Sequence, residues 1–188
     1  MRVLAGALKG KRLVTPRGST TRPTADQVRI ALMDTLMPHL PDARVLDLFA
    51  GAGGVGFEAL SRGAAHATFV ERDARAVAAL RANVETLGVS AQARVERADI
   101  RAALDRLARD GARFDVVFLD PPYDEDLVTP TLERLAGSSV TAREGIVIAQ
   151  HLTKQPPPET IGRLRAYRTR RFGETTLTFF RADGYDSP

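Results

Sequence analysis

Beyond residue 43 the chain alternates between two periodicities. Short apolar runs at 45–49, 67–70, 93–95, 114–119 and 145–149 read as strands. Between them, segments 54–62, 74–87, 100–109 and 127–135 carry apolar residues at helical spacing, which supplies the crossovers that parallel strands need. This alternation predicts a doubly wound, mostly parallel α/β sheet of Rossmann-like type.

The two ends of the chain break the pattern. At the start, Val3-Leu4 and Arg12-Leu13-Val14 are apolar pieces separated by Gly6 and Gly10, consistent with a small hairpin. A loop rich in Pro, Gly, Ser and Thr follows. Thr24 with Gln27 three positions on has the form of a capping box, and Val28, Ala31, Leu32, Thr35 and Leu36 continue as an amphipathic helix until Pro38. After Pro156-Pro157-Pro158, residues 163–171 and 175–181 read as two extended segments joined at Gly173. At 188 residues the chain suits one ordinary domain, here residues 41–188, preceded by a hairpin and helix extension over 1–40.

Charge separates that extension from the rest. Residues 1–29 hold seven basic side chains, Arg2, Lys9, Lys11, Arg12, Arg17, Arg22 and Arg29, against the single acid Asp26. The segment is therefore +6 and the remainder −2 within a net charge of +4, an asymmetry that points to a polyanionic partner. Lys9, Lys11, Arg12, Arg17 and Arg22 read as phosphate contacts that position a nucleic acid without reading its sequence. The absence of cysteine excludes disulfides and thiolate metal sites, and His39, His66 and His151 have no ligand spacing, so no metal is expected. No apolar run approaches the roughly 20 residues of a membrane span, and residues 1–10 lack a signal-peptide core. The expectation is a cytoplasmic, monomeric protein without a membrane partner.

Two motifs carry chemistry. The strand Val45-Leu46-Asp47-Leu48-Phe49 runs into a turn in which Gly51, Gly53 and Gly56 have the G-x-G-x-x-G spacing, and Glu71 lies 20 residues after Gly51, placed to accept from ribose hydroxyls. This turn by itself serves NAD or S-adenosylmethionine equally. Asp47 tilts the choice, because a carboxylate there suits an ammonium group and repels a pyrophosphate. Asp99, after the third strand, is placed to accept from an adenine amine, with Ile100 offering an apolar surface to the ring. Glu71 and Asp99 also suit a plainer role as acids capping the helices that follow.

The second motif is Asp120-Pro121-Pro122-Tyr123 at the end of the fourth strand. An exocyclic nucleobase amine is a poor nucleophile because its lone pair is delocalised into the ring. Acceptors aimed at its N–H groups, here Asp120 and the Pro121 carbonyl, localise that pair. Proline fixes φ at about −65°, which holds the acceptors rigidly, and Tyr123 gives a face on which an extruded base can stack.

On these residues the chain resembles the RsmD-like methyltransferases that form N2-methylguanine at guanine 966 of 16S ribosomal RNA. The likeness rests on Arg2-Val3-Leu4-Ala5-Gly6 with Lys9-Gly10-Lys11-Arg12-Leu13, on Thr21-Arg22-Pro23-Thr24 with Val28-Arg29, on Val45 to Gly56 with Glu58-Ala59-Leu60-Ser61-Arg62-Gly63-Ala64, and on Asp120 to Tyr123. The resemblance implies a seven-stranded sheet with one antiparallel strand and S-adenosylmethionine as cofactor, gripped by Asp47, Phe49, Gly51, Gly53, Glu71, Asp99 and Ile100. It implies that Arg22-Pro23-Thr24 closes over the cofactor or target base, and that the substrate is 16S ribosomal RNA in an assembled or assembling small subunit. Two departures stand out: Gln150 replaces a common Glu after the fifth strand, and the Arg-rich C-terminal strand is only loosely similar. The rival readings are a DNA adenine-N6 methyltransferase, which shares the catalytic residues; an NAD(P)-dependent oxidoreductase, which leaves Asp120 to Tyr123 without work; and a non-catalytic ribosome assembly factor.

Overall fold

The computed structural model describes residues 1–16, 23–123 and 125–182; the side chains of residues 23–25 lie outside that description. After α1 (Pro23–Leu36), strands and helices alternate: β1 (Arg44–Leu48), α2 (Gly54–Ser61), β2 (His66–Glu71), α3 (Ala74–Leu87), β3 (Ala93–Arg97), α4 (Ile100–Arg109), β4 (Phe114–Leu119), α5 (Val128–Ala136) and β5 (Thr141–Leu152). Three more strands close the chain: β6 (Thr160–Ile161), β7 (Leu164–Phe172) and β8 (Thr175–Ala182). They form a single sheet in the order β3-β2-β1-β4-β5-β8-β7-β6, parallel from β3 through β5 and antiparallel at each pairing beyond.

The sheet is apolar on both faces, so its strands sort their side chains by alternation. Val45, Phe69, Phe118, Ile146, Ile148, Leu177 and Phe179 pack on one face with Leu32 of α1, Phe57 of α2 and Leu80 of α3. Leu46, Leu48, Val70, Val117, Leu119, Val147 and Phe180 pack on the other with Leu104 and Leu107 of α4 and Leu132 and Leu135 of α5. Capping fits the sequence: Asp73 accepts from the backbone N–H of Arg75 and Ala76 at the start of α3, and Gly88 ends that helix at φ +69°.

Three expectations need correction. The sheet has eight strands rather than seven, because β6, only two residues long, pairs with β7; a strand that short has no periodicity to read. β5 begins at Thr141, ahead of the expected 145; a register break in its pairing with β4 and a positive φ at Glu144 interrupt it before the regular ladder resumes at Ile146. Helix α1 starts at Pro23, so Thr24 lies inside the first turn instead of preceding the helix; a proline is tolerated there because its missing N–H would have no helical partner.

The N-terminal segment is bound to the sheet domain through specific polar contacts. Arg2 and Arg12 form an antiparallel bridge, and Val3 and Leu13 are buried in the same core as α1 and α2. The buried Glu58 of α2 accepts from the Leu4 N–H, while Ser61 donates to the Ala5 carbonyl and accepts from the Leu8 N–H. A Cβ at Gly6 would sit 1.9 Å from the Ser61 carbonyl oxygen, and Gly6 has φ +82°, so glycine is required at that crossing. This explains the run Glu58-Ala59-Leu60-Ser61: two polar residues one helical turn apart dock the chain's first eight residues.

Candidate active site

The chain builds outward from β1 to β2 and β3, then returns to place β4 on the other side of β1, so the strand order reverses between β1 and β4. Crevices at that reversal are where open α/β sheets bind ligands. Leu48 pairs with Leu119, which sets the next residues, Phe49 and Asp120, side by side at the strand ends.

Phe49 has φ +60°, an uncommon conformation for a side-chain-bearing residue and one that tends to persist where function requires it. It opens the glycine turn, which is closed by Ala50 N–H to the Val70 carbonyl (3.0 Å) and Gly53 N–H to the Ala50 carbonyl (2.8 Å). The three glycines answer different demands. Gly56 lets α2 approach β2, since a Cβ there would lie 2.3 Å from the Phe69 ring; Gly53, at φ +83°, would clash with Phe57. Gly51, at φ +55°, faces open space in the cleft.

Two adjoining hollows meet at this point. One, of about 460 Å³, is lined by Phe49, Glu71, Asp99, Ile100, Asp120 and the rest of the Asp-Pro-Pro-Tyr motif. The other, of about 230 Å³, is lined by Asp47, Phe49, Gly51, Arg29, Asp120 and Gln150 among others. Phe49 and Asp120 belong to both. Asp47, Phe49, Gly51, Glu71, Asp99, Ile100, Asp120, Pro121, Pro122 and Tyr123 are thus brought to one cleft; Gly53 supports it from beneath.

Each acid has a distinct environment. Glu71 accepts from the Gly51 N–H at 2.9 Å and the Asp73 N–H at 2.8 Å, so it shapes the glycine turn while facing the larger hollow. Asp99 caps α4 through the Arg101 N–H at 2.9 Å and lines the same hollow, so the capping and ligand-facing roles coexist. Asp47, 2% exposed, accepts from the Gly56 N–H at 2.9 Å; burial, reinforced by the neighbouring Asp120 and Glu71, pushes its carboxyl up to about 8. Burial likewise pushes Asp120 up to about 7, and its carboxylate accepts no hydrogen bond from any described residue.

Tyr123 is 44% exposed, and its hydroxyl lies 3.2 Å from both the Gln150 amide, which donates to it, and the Thr175 hydroxyl. Gln150 was legible in the sequence only as a departure from a familiar pattern; its contact makes it the anchor of Tyr123. Two further residues had no place in the site as read from the sequence. Arg29, buried in α1, lines the smaller hollow, donates to the Arg2 carbonyl at 3.1 Å and pairs with Asp26 and Glu58. Asn83, fully buried, holds Val14 by both its N–H and carbonyl and donates to the Ala52 carbonyl in the glycine turn. A polar residue on the buried stripe Leu80, Val84, Leu87 was the signal for Asn83.

Lys9, Lys11 and Arg12 are exposed and form no ion pair with any described residue. Arg17 and Arg22 lie outside the described residues, as does the Thr24 side chain. His151 is buried between Thr178 and the Leu152 carbonyl, and burial lowers its pKa; His39 and His66 are exposed. Among the described residues no helix is long and apolar enough to cross a membrane.

The profile of the family described as conserved hypothetical protein 95 matches residues 1–181. The chain belongs to this family. YlbH of Bacillus subtilis is 37% identical over 98% of this chain and 100% of its own length. Ribosomal RNA small subunit methyltransferase D of Escherichia coli K12 is 32% identical over 97% of this chain and 90% of its own. The solved structure of yhhF from Escherichia coli superposes with a TM-score of 0.85 at 32% identity, covering 97% of this chain and 98% of that one. The RsmD-like assignment drawn from the motifs therefore stands, and so does the Rossmann-like methyltransferase fold.

The cleft also fits the methyl donor of such enzymes on its own chemistry. Asp47, Glu71, Asp99 and Asp120 give it an acidic lining suited to a cationic ligand with ribose hydroxyls and an amine, and hostile to a pyrophosphate.

Proposed function

We propose that the protein transfers a methyl group from S-adenosylmethionine to the N2 amine of a guanine in 16S ribosomal RNA, at guanine 966 of an assembled or assembling small subunit, acting as a cytoplasmic monomer. The observation that carries this reading is Asp120: a half-buried carboxylate with no hydrogen bond from the described residues, at the junction of two hollows and beside an exposed tyrosine. Such a group is incomplete until a donor from outside the chain reaches it.

The cofactor supplies a methyl group already activated by its sulfonium. Asp47 and Gly51 hold its amino-acid end, Glu71 its ribose, and Asp99 with Ile100 its adenine, with Thr24 and Arg22 covering it from the extension. Asp120 and the Pro121 carbonyl accept from the target amine's N–H groups, and the ionised carboxylate stabilises the positive charge that develops on nitrogen. Pro121 and Pro122 fix those acceptors, and Tyr123 stacks the extruded base. Positioning and electrostatics account for the rate enhancement. Residues 1–40 serve as an RNA-binding surface and cofactor lid on a catalytic domain over 41–188, with Lys9, Lys11, Arg12, Arg17 and Arg22 on phosphates.

The test is transfer of radiolabelled methyl from S-adenosylmethionine to small ribosomal subunits, free ribosomal RNA and duplex DNA, followed by nucleoside analysis. N2-methylguanosine from ribosomal material is expected. N6-methyladenine from DNA would keep the chemistry and overturn the substrate, and no label at all would favour an assembly factor.

A further inference from the structure

The smaller hollow of the cleft holds a cation that neither the glycine turn nor the Asp-Pro-Pro-Tyr motif employs. Among the described residues that line it, Asp47 and Asp120 are acids and Arg29 is the one basic side chain. Burying a guanidinium is costly unless its donors are used, and the Arg29 side chain is only 8% exposed. Its Nη2 donates to the Arg2 carbonyl at 3.1 Å and to Asp26 at 2.9 Å. Its Nε lies 3.7 Å from Glu58 and makes no hydrogen bond, and its Nη1 donates to no described residue. Glu58 is shared with Arg62 at 3.3 Å, and the Asp26 side chain is 47% exposed and screened by solvent. Arg29 therefore keeps both charge and donors for a further anion.

Nη1 reaches the start of α2. A Cβ built on Gly54 would lie 3.0 Å from Nη1 and 2.9 Å from the Met1 sulfur, so glycine keeps the space between them open. In the first turn of this eight-residue helix, the Gly56 N–H is taken by Asp47. The N–H groups of Gly54 and Val55 donate to no described residue, and both residues line the same hollow as Arg29. Two open N–H groups at a helix start, with a guanidinium beside them, attract an anion, and a carboxylate matches the guanidinium fork. A phosphate is disfavoured, because Asp47 occupies the same helical turn and Asp120 the same hollow. An α-amino acid, which brings its own ammonium, satisfies the acid and the base together.

We propose that Arg29, with the N–H groups of Gly54 and Val55, seats the carboxylate of the methyl donor's methionine moiety, while Asp47 takes its ammonium. The inference rests on S-adenosylmethionine binding with its amino-acid end in the smaller hollow. It makes Arg29 the residue that distinguishes a donor with an intact amino acid from one that lacks the carboxylate.

The test compares, by calorimetry on the full chain, S-adenosylmethionine with decarboxylated S-adenosylmethionine, which keeps the ammonium, sulfonium, ribose and adenine. Wild type should bind the carboxylated donor about 30-fold more tightly, the scale of a buried charge-assisted pair. Arg29→Gln should lose that preference and keep at least the wild-type affinity for the decarboxylated form. Glu58 retains Arg62 and the Leu4 N–H in this variant, so it is not left as a bare buried charge. Gly54→Ala, whose methyl group fills the seat while favouring the helix, should narrow the preference in the same direction, and it carries the test if Arg29→Gln does not fold. Asp47→Asn should weaken both ligands alike, since both carry the ammonium. Equal loss of the two ligands in Arg29→Gln and Gly54→Ala would make Arg29 a wall of the hollow and overturn the seat, as would no loss of either. If Asp47→Asn were silent as well, the placement of the amino-acid end would fall with it. Failure of the wild-type protein to bind either ligand would instead overturn the methyl-donor reading itself.

Discussion

The glycine turn after β1 and the Asp-Pro-Pro-Tyr turn after β4 lie side by side, and each presents one carboxylate to the cleft, Asp47 buried and Asp120 half-buried. Burial raises both acids, Asp47 to about 8 and Asp120 to about 7. Their partners differ. Asp47 is held by the Gly56 N–H, so it belongs to the architecture of the turn as well as to the cleft; Asp120 has no such internal donor. A carboxylate satisfied from within can be tuned by its ligand, whereas one left open depends on its ligand for compensation. The contrast accords with the proposed division, in which Asp47 serves binding and Asp120 chemistry.

The sharpest way to break that division is Asp120→Ala. Removing the acceptor should lower transfer to RNA on the order of 10²- to 10³-fold, the usual cost of losing one preorganised transition-state partner. Cofactor affinity by calorimetry should stay near wild type if, as proposed, the carboxylate faces the target amine; an equal loss of both would overturn the assignment.

Asp47→Asn attacks the other side. The amide still accepts from Gly56, so the turn is kept, but the charge is gone. Cofactor affinity should fall about 30-fold, corresponding to about 2 kcal/mol for an unpaired charge in a buried site. The ligand-free variant should be more stable than wild type at pH 8, since it no longer ionises a buried acid. Lower affinity together with lower stability would mean that Asp47 serves only the fold.

The pH dependence of the ligand-free protein follows from the same pair. Both acids hold their protons in the folded state at pH values where the unfolded chain has released them, so between about pH 4 and pH 8 the folded state binds more protons. Stability contributed by these groups is therefore fully present below pH 3.8 and is lost as pH rises towards 7 and 8. Urea melts across that range should show their midpoint falling with pH, and Asp47→Asn should flatten the curve above pH 7. A midpoint that rises steadily to pH 8 in the wild type and is unaffected in the variant would remove the basis for treating the two acids as a pair.

What the sequence made legible follows the same line between local and non-local determinants. The parallel half of the sheet was readable because its central strands bury both faces and its helices repeat at 3.6 residues. The cleft was readable because the glycine turn and Asp120 to Tyr123 each carry their chemistry in consecutive residues. The rest depends on contacts distant in sequence. The docking of Leu4–Leu8 onto Glu58 and Ser61, and the grip of Asn83 on Val14 and Ala52, span 53 to 69 positions for the N-terminal contacts and 31 for the turn. No local pattern specifies them. The two residues of β6 are too few to have a period, and Gln150 drew notice without a role because its partner Tyr123 lies 27 positions away.

That contact gives the mildest test. The Tyr123 hydroxyl has two neighbours, the Gln150 amide and the Thr175 hydroxyl, both at 3.2 Å. Gln150→Leu removes one, leaving the ring attached by Thr175 alone, so the cost should match a single exposed hydrogen bond, about 0.5–1.5 kcal/mol or roughly 2- to 10-fold in KM for RNA. Gln150→Glu should behave as wild type, because the carboxylate accepts from the tyrosine hydroxyl in place of donating to it. Rescue by Glu but not by Leu would tie the effect to the hydroxyl of Tyr123, whereas equal losses in the two variants would place the requirement on the amide N–H and assign Gln150 to the smaller hollow it also lines.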